Sequence, residues 1–79
     1  MNSSEALKVF DNIIEKLDEI RKEKDLTYLQ IAERAKVDKN TVFKTFRHGK
    51  RCNLLTFIKL CYAIEVDFID LIRKGYGRI

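Results

Sequence analysis

The sequence predicts an all-α domain, a compact bundle of five short helices. Three observations carry that expectation. Pro is absent and only three Gly interrupt the chain, at Gly49, Gly75 and Gly77. Apolar residues recur at three- and four-residue spacing, which lines up one face of a helix. The alternating β-branched runs that strands need are scarce. With 79 residues, 46% of them hydrophobic and 35% charged, the chain can fill one core but not two. A single domain over 1–79 follows, with a helical extension at 1–12, a central helix pair within 26–48 and a tail at 75–79.

The first helix is predicted from Ser4, as N-cap, to about residue 24. Leu7, Phe10, Ile14 and Leu17 form its inward stripe, widened by Ile13 and Ile20. Thr27 and Gln30 have capping-box spacing, so each side chain accepts the other's backbone amide and a helix opens at Tyr28. It runs to Ala35 and buries Ile31, Ala32 and Ala35. After a break at Lys36 and Val37, Asp38 caps a third helix, 39–47, that buries Val42 and Phe46. His48 and Gly49 end it, Gly being the residue that enters a left-handed cap at least cost. A fourth helix, 54–64, turns Leu54, Phe57, Ile58 and Cys61 inward. Asp67 caps a fifth, 68–74, which Gly75, Tyr76 and Gly77 unravel.

Net charge is +4, and its distribution is more telling than its size. Residues 34–59 hold eight basic side chains (Arg34, Lys36, Lys39, Lys44, Arg47, Lys50, Arg51, Lys59) against Asp38 alone, a net +7. The remaining eight basic and eleven acidic residues give −3. Segregation of this kind points to a polyanionic partner rather than a scattered solvated surface. No apolar run reaches the ~18–20 residues of a membrane span, and Met1 to Phe10 lack the pattern of a secretory signal. Two cysteines do not make a disulfide framework, which fits a reducing compartment.

The third helix and the one before it are short and joined by three residues. Ala32 is small enough for a close crossing, Val37 plugs the turn and Val42 anchors the second helix, the requirements of a helix-turn-helix. The residues Leu26-Thr27, Gln30-Ile31-Ala32-Glu33, Val37-Asp38, Thr41-Val42, Gly49-Lys50-Arg51, and Leu60 to Val66 with Asp67 following, resemble the helix-turn-helix family of phage repressors and Cro-like proteins. The resemblance covers about residues 17–72. It implies a lambda-repressor-like fold whose third helix enters the major groove, usually as a dimer on a two-fold operator. Four departures stand out. Lys36 occupies a turn position where the family commonly has Gly, which asks a lysine to adopt left-handed backbone. Tyr28 replaces a Gln that touches phosphate in many members. Thr45 stands where a buried aliphatic is usual, so Phe46 is expected to take over the anchoring. Helix three is one residue longer before its Gly, and the following loop one shorter.

The resemblance makes Lys39, Asn40, Thr41, Phe43 and Lys44 the base-contacting set. Asn pairs bidentately with adenine, Lys donates to guanine, and Phe43 or the Thr41 methyl meets a thymine methyl. Phe43 lies off the Val42–Phe46 stripe and is assigned to base contact ahead of a protein interface. Arg47, Lys50 and Arg51, with Tyr28, are assigned to the phosphate backbone, where they fix register. Leu55, Tyr62 and Ile69 stand where the family more often has polar residues; with Tyr76 and Ile79 they form either a wider core or, slightly favoured, a homodimer interface.

Chemistry beyond binding has little support. Cys61 falls on the buried stripe of the fourth helix, and Cys52 is read as a plain loop residue despite its basic surroundings. His48 is assigned to the helix end or to DNA. No nucleophile–base set or phosphate loop is present, so no enzyme activity, metal or cofactor is expected. The expectation is a transcriptional regulator in the bacterial cytoplasm, on the nucleoid, that binds double-stranded DNA as a homodimer. Two alternatives remain, an antitoxin or adaptor whose main partner is a protein, and an RNA binder, for which the stacking sheet is missing.

Overall fold

The computed structural model describes residues 2–76. They form five helices with no strand among them: α1 (Ser3–Glu23), α2 (Tyr28–Ala35), α3 (Lys39–Arg47), α4 (Leu54–Ile64) and α5 (Phe68–Tyr76). Each helix contributes at least one side chain removed from solvent: Leu17, Ile31, Val42, Leu60 with Ile64, and Leu71. These meet in one core, edged by Phe10, Ile13, Ile20, Val37, Phe46 and Ile72. α1 packs chiefly along α5, while α2 lies against α4 and α3. The radius of gyration is 11.8 Å, near the ~12 Å of a compact chain this long. No helix among the described residues is long and apolar enough to cross a membrane.

Local sequence explains the helix starts. The Thr27–Gln30 capping box closes with both bonds made, at 3.1 and 2.9 Å. Asn53 caps α4 through the Thr56 amide, and Asp67 caps α5 through the amides of Ile69 and Asp70. α1 opens earlier than its sequence pattern suggests. Asn2, not Ser4, is the N-cap, and Glu5 completes its capping box. Asn and Glu three apart satisfy two orphan amides as Ser or Thr would, so the upstream residue wins.

The helix ends follow one rule. A residue in left-handed backbone follows each of α1, α2 and α4 within two positions: Asp25 (φ 55°), Lys36 (φ 56°) and Glu65 (φ 62°). The next residue is apolar each time, and its amide returns to a carbonyl five residues back: Leu26 to Arg21, Val37 to Ala32 and Val66 to Cys61. That bond is the outer one of a Schellman motif, with the apolar residue sealing the helix end. Lys36 thus adopts the conformation its turn position demands.

Three inward assignments change. Leu54 is 66% exposed at the first turn of α4, and Leu60 takes the fully buried position instead. The α4 stripe is Phe57, Leu60, Cys61 and Ile64, which sets its inward face one residue round from Leu54. Thr45 keeps its buried place. Its hydroxyl donates to the Thr41 carbonyl at 2.8 Å, which satisfies the polar atom inside the helix itself. Phe46 is only partly buried and does not replace it. Gly75 does not unravel α5; the helix continues through it to Tyr76. There α5 crosses α1 so closely that a Cβ on Gly75 would strike the Ile13 side chain and come within 3.0 Å of its Cα. Of the expected tail, residues 77–79 lie outside the described residues.

Two stability measurements check this account. Gly75→Ala should lower unfolding free energy by about 1–3 kcal/mol through overpacking, against the usual helical advantage of Ala. Lys36→Gly should raise it by about 1 kcal/mol by relieving left-handed strain. Urea titrations followed by helical circular dichroism read both.

Candidate nucleic-acid interface

α3 is held by one side only. Val42 and Thr45 are buried, and Asp38 caps the helix by accepting the Asn40 amide at 2.6 Å. A helix turns about 100° per residue, which places Asn40, Lys44 and Arg47 along the middle of the outer face. Lys39 and Phe43 occupy the flank above Phe46, and Thr41 the opposite margin beside Thr45. All six outer residues are exposed. Four of the five expected base-contacting residues therefore share a surface with Arg47, and Thr41 sits at its edge.

The chain then turns sharply at Gly49, whose φ of 61° suits glycine. The Lys50 amide returns to the Lys44 carbonyl at 3.1 Å, keeping the start of the loop against the helix end. Lys50 and Arg51 thereby follow Arg47 directly. Residues 39–51 contain five cations and no carboxylate. The ion pairs among the described residues are Lys16–Glu19, Arg21–Asp18, Lys22–Asp18 and Lys74–Asp70, all on α1 and α5. None involves those five cations.

Two other cations have partners within the fold. Arg34 donates through Nη1 to the Ala63 carbonyl at 3.2 Å. Lys24 reaches the carbonyls of Ile64 and Glu65 at 2.6 and 3.2 Å. Both cations sit at the C-terminus of α4, where its dipole is negative, and serve the fold.

An aromatic cluster that the sequence reading did not contain adjoins the basic face. Tyr28, at the start of α2, lies parallel to Phe46 with ring centroids 5.6 Å apart. Phe43 presents its ring at a steep angle to Tyr28, 6.0 Å away, and to His48, 5.3 Å away. The Arg21 guanidinium stands 4.5 Å from the Tyr28 centroid. Its own position is fixed by Asp18 at 2.6 Å and by the Leu26 carbonyl at 2.8 Å. Each such contact adds about 0.5–1.5 kcal/mol to the burial of the rings. Tyr28 is thus half-buried, its ring held within this cluster. No sequence spacing links Arg21 to Tyr28 or His48 to Phe43.

The proposed dimer residues are on the surface. Leu55 and Tyr62 lie two turns apart on α4, 61% and 80% exposed, and Ile69 and Tyr76 two turns apart on α5. Leu54 and Leu29 are exposed as well. Ile79 lies outside the described residues. The wider-core alternative does not hold for the four described.

Both cysteines are free thiols. Burial pushes Cys61 up to about 12, with the charge of Cys52 adding to it. Cys52 is raised too, by burial, partly opposed by its own backbone hydrogen bond. The basic loop therefore does not activate it. Among the described residues no group of three or more His, Cys, Asp or Glu side chains is placed to hold a metal ion. Comparison with protein-family models, curated proteins and solved structures gave no match.

A thiol-labelling experiment follows from the raised values. At pH 8 both thiols are protonated, so a disulfide reagent should modify Cys52 slowly and Cys61 only at the rate of global unfolding. Cysteine-to-alanine single variants assign the two phases.

Proposed function

We propose that the chain is a sequence-specific regulator that binds double-stranded DNA, a helix-turn-helix protein similar to the phage-repressor and Cro-like family. One observation carries the reading. The outer face of α3 and the loop after it present Lys39, Lys44, Arg47, Lys50 and Arg51 without a carboxylate partner among the described residues. α2 and α3, joined by residues 36–38, form the helix-turn-helix, and α3 fits the ~12 Å major groove. Asn40, Lys39 and Lys44 read base edges. Arg47, Lys50 and Arg51 grip phosphates on the way out of the groove. Tyr28 contributes its hydroxyl at the α2 N-terminus while its ring stays in the aromatic cluster.

A single α3 reads half a site, so two copies are needed for a specific operator. Leu55 and Tyr62 on α4, with Ile69 and Tyr76 on α5, supply apolar surface for a homodimer. The same residues favour a second reading, an antitoxin or adaptor that turns this face to another protein. Sedimentation of the chain alone separates the two, since a self-sufficient regulator is dimeric without an added partner.

Enrichment of bound sites from random duplex DNA tests the function. The expected motif is two-fold, with half-sites about one helical turn, ~34 Å, apart. Asn40→Ala should narrow the gap between operator and random duplex, whereas Lys50→Ala should weaken both alike. If each subunit neutralises about four phosphates, log affinity should fall against log salt with a slope of about −7. Equal losses on operator and random DNA for both variants would count against the assignment.

A further inference from the structure

Phosphate attraction explains the cations of α3 but not the large ring among them. Phe43 is 41% exposed within a stretch of five cations and no carboxylate. It is the one large apolar side chain exposed on α3, and its position among the cations is what sets it apart from the exposed apolar residues of α2, α4 and α5. The ring is also not free to fold away. Val42 and Thr45 fill the space beneath α3, and Tyr28 and His48 hold Phe43 on two sides. Tyr28 is fixed in turn by Phe46 and by Arg21, which Asp18 and the Leu26 carbonyl secure. A continuous set of contacts from α1 to α3 thus presents a rigid apolar surface on the groove-facing side. An aromatic ring held this way loses little conformational entropy on contact.

We infer that Phe43 is a reader of the C5 methyl group of a pyrimidine, so that the protein accepts 5-methylcytosine where it accepts thymine. This deepens the DNA-binding reading and rests on it. In the major groove a thymine differs from a cytosine at two places, the C5 methyl and the group at C4. Phe43 has no hydrogen-bonding atom, so it responds to the methyl and is indifferent to C4. Asn40, one turn earlier on the same outer surface, makes the polar contact with a neighbouring base. Thr41, the other residue with a methyl to offer, stands at the opposite margin of α3 and does not share this contact. Cytosine methylation at that position therefore converts a weak site into a better one, and binding responds to the modification state of the DNA.

The full-length chain and the duplex enriched from random DNA provide the test. Each thymine of a half-site is replaced singly by uracil, which removes only the methyl. One position should lose affinity about fourfold, and the symmetric pair about fifteenfold, the value of ~0.8 kcal/mol per buried methyl. At that position a cytosine duplex should gain by a similar factor when methylated at C5. Phe43→Ala should abolish both effects and keep the salt slope, and Phe43→Leu, with helical content unchanged, should retain part of them. A uracil scan with no position above twofold overturns the inference while leaving DNA binding intact. So does an effect that survives in Phe43→Ala, or one lost in Thr41→Ser. If no duplex is enriched, the DNA-binding reading fails and this inference with it; Phe43 is then an exposed anchor for a protein.

Discussion

Burial of one side of α3 is the constraint on which the rest depends. A helix of nine residues is too short to persist alone in water, where even good helix formers need about 12–15. α3 exists because Val42 is sealed in the core and Thr45 sits beside it, its hydroxyl satisfied by the helix's own Thr41 carbonyl. The Asp38 cap and the return of the Lys50 amide to Lys44 fix the two ends. Everything functional about the outer face follows from that arrangement. With the inner side pinned, the outer residues have a defined order in space, and Asn40, the Phe43 ring and the cations keep fixed relations to one another.

Charge is divided by the same logic. Cations on α1 and at the α4 terminus have partners within the fold: Arg21 and Lys22 with Asp18, Lys24 and Arg34 with carbonyls of α4. Those on α3 and its loop do not pair with carboxylates among the described residues. A net charge of +4 is therefore a poor measure of the field at the surface that matters. Asp18, paired with Arg21 and Lys22, lends order to the aromatic cluster through Arg21.

Sequence carried the elements further than the contacts between them. α2, α3 and α4 have their expected limits because Thr27, Asp38 and Asn53 are local caps, and caps act within one turn. The left-handed turn at Lys36 was expected from the resemblance, which places it where Gly is common, and its φ is 56°. Gly75 was misread as a helix breaker because its reason is tertiary, the close passage of Ile13. Leu54 and Thr45 went wrong for a related reason. Hydrophobicity alone ranks leucine and phenylalanine above threonine for burial, and it takes no account of where each helix face points. The candidate base and phosphate residues proved exposed except Tyr28, which is half-buried, yet Arg21 joined the cluster unannounced, because ring and guanidinium contacts between separate elements leave no periodic trace.

The left-handed helix ends carry a consequence for how such a chain can change over time. Asp25 and Glu65 each hold a backbone conformation that glycine would adopt with less strain, at about 1 kcal/mol apiece. Both lie outside α3 and its loop. Since ~1.4 kcal/mol is a tenfold change in the folded-to-unfolded ratio, one or two substitutions at these ends reset how often the chain opens and meets a protease. Cellular abundance can thus be tuned at positions that leave the outer face of α3 untouched. The amount of folded chain and the character of that surface are thereby separately adjustable.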